Sequence, residues 1–235
     1  MYAHTADWYD QIYAAQGKDY AAEARVVADI ARSCTPGARS LLDVGCGTGL
    51  HLAAFAEQFE RVAGLDLTPE FVTHVREMEL DAREGDMRDF ELDERFDVVV
   101  SLFSAIGHAG DVVGLDASIA SMARHLTSGG VLVVEPWFAP DAWRLGRYGV
   151  EVADAPDSTL TRVNWTSREG DVSVLHFAWT HVSADGIERL DEELRLALFT
   201  EAQYRAAFER AGLVASFDPA GCNAGGRGLW IGVRR

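Results

Sequence analysis

The sequence is poor in positive charge. Its 235 residues hold 21 Lys and Arg against 37 Asp and Glu, a formal net charge of -16. Such a chain is unsuited to neutralising a phosphodiester backbone, and an anionic membrane surface repels it in the same way. Neither nucleic acid nor membrane is therefore an expected partner. Long apolar runs are missing, as is a basic-then-apolar leader, so neither a membrane span nor an export signal is expected. The three cysteines, Cys34, Cys46 and Cys222, are odd in number, far apart and form no CxxC pair. They indicate no disulfide framework and no metal site, and a reducing cytoplasm is the expected location. There is no internal repeat and no low-complexity tract. What the chain does have is 48% hydrophobic residues, enough for one sizeable α/β core.

That core is organised around Leu41-Leu42-Asp43-Val44-Gly45-Cys46-Gly47-Thr48-Gly49. An apolar strand runs into three alternating glycines, and a helical pattern starts at Leu50. Strand, glycine turn and helix open a nucleotide-type βαβ fold. The glycines are expected to leave room for a bulky cofactor against the turn. A second apolar run, Val62 to Leu65, ends in Asp66, placed to accept hydrogen bonds from ribose hydroxyls. Two cofactor classes fit, a dinucleotide and S-adenosylmethionine. A dinucleotide fingerprint wants a small residue where Leu50 stands. Asp43 would also repel a pyrophosphate, whereas it attracts the sulfonium and ammonium of S-adenosylmethionine.

Further along, Asp86 and Met87 follow a third strand; an acid there can accept from an adenine amine, and a methionine can cover the ring. The run Phe96 to Phe103 reads as a strand buried on both faces. It opens into Ser104-Ala105-Ile106-Gly107-His108, at the sheet edge where ligands bind in parallel α/β folds. A helix is expected over Val112 to Leu126 and a fifth strand over Val131 to Val134. From Trp137 to Leu198 the period becomes two, with turns near Gly170 and Gly186, which reads as an antiparallel sheet with one covered face. Thr200 and Gln203 form a capping box for the next helix. The final strands, Leu213 to Phe217 and Leu229 to Val233, enclose the glycine-rich loop that carries Arg227. If the first of them is parallel to the sheet, that loop lies on the ligand-binding rim. The aromatic N-terminus, with Trp8, Tyr9, Tyr13 and Tyr20, either covers the cofactor as a lid or packs on a sheet.

These residues together resemble a class I S-adenosylmethionine-dependent methyltransferase. The segments Gly17–Ala24, "LLDVGCGTG", "GDMRDF", "FSAIGH", "EPW" and "GGRGL" are similar, in order, to the N,N-dimethyltransferases that act on nucleotide-linked aminodeoxysugars in antibiotic biosynthesis. The resemblance implies a Rossmann-like seven-stranded sheet with helices on both faces and an antiparallel β insertion as substrate lid. The core would span residues 1–136 and 199–235 and the lid 137–198, within a single domain. It implies S-adenosyl-L-methionine bound by Tyr9, Tyr20, Gly45, Gly47, Asp66, Asp86, Met87 and Leu102, with S-adenosyl-L-homocysteine as product. On the substrate side it implies Tyr2, Trp137, Arg162 and Arg227, with His108 as the catalytic residue. The sequence departs from the subgroup at Phe138-Ala139-Pro140 and within Thr161-Arg162-Val163-Asn164-Trp165, both in the lid, so the resemblance leaves the identity of the sugar and of its nucleotide carrier open.

The expected reaction is N-methylation of a dTDP-linked aminosugar by a monomer or homodimer. The other readings are N- or O-methylation of another natural product and, remotely, nicotinamide-dependent oxidoreduction. The strand-four end lacks the Asn/Asp-Pro-Pro-Tyr motif that suits planar nitrogens, so nucleic-acid and protein-amide methylation are disfavoured. An aminosugar amine titrates near about 8, so roughly a tenth is neutral at pH 7 and positioning carries much of the catalysis.

Overall fold

The computed structural model describes residues 6–222 and 226–235. Two helices, α1 (Ala6–Ala15) and α2 (Tyr20–Cys34), precede the sheet. Asp19 caps α2 by accepting from the Ala22 amide at 2.8 Å. The first half of the core is β1 (Ser40–Val44), α3 (Leu50–Ala56), β2 (Arg61–Asp66), α4 (Pro69–Glu77) and β3 (Asp81–Glu84). The second half is β4 (Phe96–Ser101), a 3-10 turn over Ala105–Ala109, α5 (Val112–Arg124) and β5 (Leu126–Val134). Four long strands follow: β6 (Tyr148–Ala155), β7 (Ser158–Glu169), β8 (Val172–Ser183) and β9 (Gly186–Ala197). The chain closes with α6 (Glu201–Arg210), β10 (Leu213–Asp218) and β11 (Leu229–Arg234).

The main sheet has seven strands in the order β10-β11-β5-β4-β1-β2-β3. Only β11 runs against its neighbours, β5 and β10. Its reversal leaves β10 parallel to the rest, so the loop bearing Arg227 lies at the carboxyl-end rim. The apolar runs of the central strands serve both faces by alternation. Leu41, Val98, Val100 and Val133 pack under α2, while Leu42, Val99, Leu132 and Val134 pack under α5 and α6. The order of connection reverses between β1 and β4. In an open α/β sheet, that switch point is where a crevice opens.

The second sheet, β6-β7-β8-β9, is antiparallel throughout. Trp8 and Ile12 of α1 pack on it against Leu160, Phe177 and Trp179. Trp8 therefore belongs to the packing of this sheet, whereas Tyr9 and Tyr13 reach the crevice. The alternation on β7 is inverted relative to polarity. Arg162 points inward and is 4% exposed, while Val163 and Trp165 face solvent.

One local expectation needs correction. Leu126 is strand, not helix: it pairs with Phe96, and the register then slips before Val98 pairs with Val131. Gly129, at φ 77°, lets the intervening residues bulge out. Strand β6 had no reading of its own, because its inward positions are not uniformly apolar. Among the described residues no helix is long and apolar enough to cross a membrane.

Candidate active site

A cleft of about 720 Å³ opens at the β1/β4 switch point and extends under the second sheet. Small-molecule sites fall in the range of about 300–1,000 Å³. One half is built by the glycine turn and the ends of β2 and β3. The other is walled by the inner face of β7–β9, Trp137 and Arg227.

In the first half, Asp66 ends β2 with both carboxylate oxygens held. Oδ2 accepts from the Gly47 amide and Oδ1 from the Thr68 amide, each at 2.9 Å. A carboxylate has about four acceptor sites, so each oxygen can still accept another hydrogen bond. The three turn glycines all have positive φ, but for different neighbours. A Cβ on Gly45 would lie 2.7 Å from the Ala105 Cβ, and one on Gly49 would lie 2.7 Å from Val75. Only at Gly47 is the space beside the turn open, with nothing within 4 Å. Protein packing thus accounts for the glycine at two of the three positions, and the room expected for a cofactor lies at the middle one.

Met87 lies beside Gly45 and lines the cleft, as does the buried Leu102. Asp86 also lines it, but its carboxylate is already gripped by Arg88, with Nη2 donating to Oδ2 at 2.6 Å. That hydrogen bond holds the Asp86 pKa below the usual carboxylate value. The Tyr20 ring meets His51 edge-on at 4.8 Å. Tyr9 crosses toward the other half, where its hydroxyl donates to Glu192 Oε2 at 2.9 Å.

Two further acids line this half and hold their protons to higher pH than ordinary carboxylates. Asp43 is 2% exposed, and burial, with the nearby Asp66 charge, pushes its pKa up to about 7. Asp10, which sequence reasoning missed, is raised to about 6, again chiefly by burial, although Thr48 donates to it at 3.1 Å. Three carboxylates around one cavity suit a ligand that brings positive charge.

At the β4 end, Phe103 and Ser104 adopt positive φ of 51° and 63° without being glycine. Such conformers cost about 1–3 kcal/mol each and persist only when surrounding contacts enforce them. Here they do. Phe103 N donates to Glu135 Oε2 at 2.7 Å, and Ser104 Oγ donates to the Pro136 carbonyl at 2.9 Å. The turn delivers His108 to the cleft. Solvent reaches its ring through the cleft mouth, but protein surrounds the rest, and this burial lowers its pKa below the usual histidine value; the Asp66 charge opposes the shift.

In the second half, Arg162 is clasped by Glu151, with Nε donating to Oε2 at 2.5 Å. The rings of Tyr9, Tyr13, Phe177 and Trp179 surround its guanidinium with centroids 4.8–5.5 Å away. Arg227 donates from Nη2 to Glu135 Oε1 at 2.6 Å and lies 5.4 Å from the Trp137 ring centroid. Trp137 itself is fixed by donating to Ser173 Oγ at 2.8 Å. Among the described residues, Arg162 Nη1 and Arg227 Nε are both buried without a hydrogen-bond partner. Tyr2, assigned to the substrate side from sequence, lies outside the described residues. Glu135, Glu151 and Asn164 were given no role from sequence, although Glu135 opens the "EPW" segment; Glu135 pairs with Arg227, Glu151 with Arg162, and Asn164 Nδ2 donates to Glu151 at 3.3 Å.

A seven-stranded sheet with one reversed strand, a glycine turn at its switch point and an acid ending β2 define a class I methyltransferase architecture. Residues 41–130 match the family described as "Methyltransferase domain". The chain is 43% identical over 97% of its length, and 97% of the relative's, to dTDP-3-amino-3,4,6-trideoxy-alpha-D-glucopyranose N,N-dimethyltransferase of Streptomyces venezuelae. The crystal structure of Streptomyces venezuelae DesVI superposes with a TM-score of 0.93 at 42% identity, covering 98% of both chains. SAM-bound CalS10, an amino pentose methyltransferase from Micromonospora echinaspora, gives 0.88 at 37% identity, covering 97% of this chain and 96% of the other. The chain belongs to the family of S-adenosylmethionine-dependent sugar N-methyltransferases that these proteins represent. Nicotinamide oxidoreduction is thereby set aside.

Proposed function

We propose that this enzyme transfers a methyl group from S-adenosylmethionine to the amino group of a dTDP-linked aminodeoxysugar in antibiotic sugar biosynthesis. The observation that carries this is a pair of arginines in the far half of an otherwise acidic cleft: Arg162, buried, and Arg227, partly buried, each with a guanidinium nitrogen, Nη1 and Nε respectively, that no group among the described residues accepts from. Only a local cation makes an anionic substrate welcome in a chain of net charge -16. A guanidinium can grip phosphate oxygens through parallel hydrogen bonds that a lysine cannot reproduce. The full-length relatives act on dTDP-aminosugars by name, which supports the same substrate class here.

The cofactor, when bound, supplies an electrophilic methyl. Asp66 would accept from its ribose hydroxyls, Asp43 would face its cationic end, and Tyr20, Met87 and Leu102 would cover it. Asp86 takes the adenine amine with the acceptor capacity that Arg88 leaves. His108 receives or orients the amine proton of the substrate. Trp137, with Tyr2, walls the substrate side. Residues 137–198 act as a lid within a single domain whose core is 1–136 and 199–235. The enzyme works in the cytoplasm as a monomer or homodimer, on a small molecule and without nucleic acid or membrane.

The substrate reading is tested by kinetics on matched pairs. Wild type should use a dTDP-aminosugar well and the free aminosugar poorly. Arg227→Ala and Arg227→Lys should each raise KM for the nucleotide sugar about tenfold or more, equal to one lost charged hydrogen bond, with S-adenosylmethionine affinity within twofold of wild type. A free sugar that outperforms its nucleotide form, with KM indifferent to Arg227, would return the enzyme to the broader natural-product class. For the cofactor half, Asp66→Ala should weaken S-adenosylmethionine by at least about tenfold, since two charged hydrogen bonds are at stake. Calorimetry giving an unchanged Kd would refute that assignment.

A further inference from the structure

The two ends of the cleft meet on one carboxylate. Glu135 is 1% exposed and follows β5, where its own amide donates to the Ser101 carbonyl at 2.9 Å. Its Oε1 accepts from Arg227 Nη2 at 2.6 Å, and its Oε2 accepts from the Phe103 amide at 2.7 Å. The first oxygen therefore holds the side chain on the substrate rim. The second holds the left-handed turn that leads, through Ala105 in contact range of the Gly45 turn, to His108. Nothing else among the described residues accepts from the Arg227 guanidinium, whose Nε is buried and unpartnered.

We infer that Glu135 is a positioning residue for the transfer: it presents the remaining N–H groups of Arg227 to the substrate diphosphate and, through its other oxygen, locks the β4 turn that carries His108. The inference rests on the nucleotide-sugar reading above. Chemistry explains why a carboxylate is needed. Two donors converge on the side chain from different directions, and only a carboxylate offers an acceptor oxygen to each. It is also charged, and so holds the guanidinium by a short, oriented hydrogen bond. A glutamine can accept through one oxygen only, and its amide nitrogen must then face the second donor. An aspartate keeps the charge but is one methylene short and cannot span both partners.

The roles separate kinetically. Losing the first contact frees Arg227 to swing, which should appear in KM for the nucleotide sugar. Losing the second loosens the His108 turn, which should appear in kcat. Neither contact touches the Asp43–Asp66 half, so cofactor binding should be spared.

The test uses Glu135→Gln and Glu135→Asp in the full chain, with Arg227→Ala as the reference background. Both single variants should weaken binding of dTDP alone by about tenfold in calorimetry, and raise KM for the dTDP-aminosugar by a similar factor. Both should lower kcat at least fivefold while leaving the S-adenosylmethionine Kd within twofold. In the Arg227→Ala background, Glu135→Gln should add less than twofold to KM yet still lower kcat, because residues that act through each other are not additive. The aspartate variant keeps the experiment decisive should the glutamine variant not fold. A full additional KM loss on top of Arg227→Ala, or a cofactor Kd that rises as much as KM, would overturn the inference. So would a wild-type kcat in both variants. If wild type itself does not bind dTDP, the substrate reading fails instead, and the two failures are told apart by the wild-type titration.

Discussion

Replacing His108 with asparagine is expected to lower kcat about a hundredfold at pH 7, with the deficit shrinking towards pH 9. Asparagine keeps a hydrogen-bonding group at the ring's place but cannot take a proton. The ring lies where the strained β4 turn opens into the cleft, in the arc between the glycine turn and Arg227. Burial favours its neutral form, with a pKa below the ordinary histidine value of about 6.5, so at pH 7 it is ready to accept. The substrate amine, at about 8, is mostly protonated at that pH and must shed a proton before it can attack. General-base assistance of this kind is worth about 10²–10⁴-fold. Near pH 9 most of the amine is already neutral in solution, which returns about tenfold of the deficit; what persists is the assistance to the proton lost as the new N–C bond forms. Because the histidine pKa is lowered, the wild-type acid limb should be set by the amine above pH 7 and by His108 only below about 6.5. Steady-state profiles of wild type and variant from pH 6 to 9 decide the matter. A small deficit of constant size across that range would leave His108 orienting the amine and nothing more.

Much of this site was legible in the sequence because its parts are local. The glycine turn, Asp66 at the end of the next apolar run, and Arg227 among glycines each declare themselves within a short window. The capping box at Thr200 did likewise, with the Gln203 amide donating to Thr200 Oγ1 at 3.2 Å. What stayed hidden depends on pairs far apart in the chain. Glu135 acquires a role only when Arg227, 92 residues on, and Phe103, 32 residues back, are brought to it. Asp10 matters because α1 folds over the glycine turn and is dehydrated there. The inward face of β7 is a similar case. A period-two pattern says which residues share a face but not which face is covered. Hydrophobicity alone would have turned Val163 and Trp165 inward, where Arg162 and Asn164 line the cleft instead. Polar residues face in because this sheet covers a site, not a core.

The cofactor half carries the other large expectation, and it is a linkage. Asp43, with a pKa near 7, and Asp10, near 6, both hold their protons longer than ordinary carboxylates because burial penalises the charged form. A cation entering beside Asp43 reverses that penalty. Binding of S-adenosylmethionine should therefore expel protons, and its affinity should rise with pH between about 6 and 8. S-adenosylhomocysteine has no sulfonium, so its affinity should climb less steeply over the same range. The ligand-free protein should behave in the opposite sense. A carboxyl whose folded pKa is raised contributes its full stability below the unfolded value of about 4, and loses it as pH rises through the folded value. The ligand-free Tm should thus fall between about pH 4 and 7, and saturating S-adenosylmethionine should flatten the fall. Asp43→Asn keeps the shape of the side chain and removes both the charge and the titration. It should weaken S-adenosylmethionine by about ten- to a hundredfold at pH 8, the worth of one charged hydrogen bond, with a smaller loss at pH 6 where the wild-type group is largely protonated. Calorimetry in two buffers of different ionisation enthalpy counts the protons directly. Proton release of a sizeable fraction of one per site at pH 7 in wild type, and markedly less in Asp43→Asn, is the expected result. Equal release in both proteins would move the linked proton away from Asp43, and pH-independent binding of both ligands would mean that the buried acids do not sense the cofactor's charge at all.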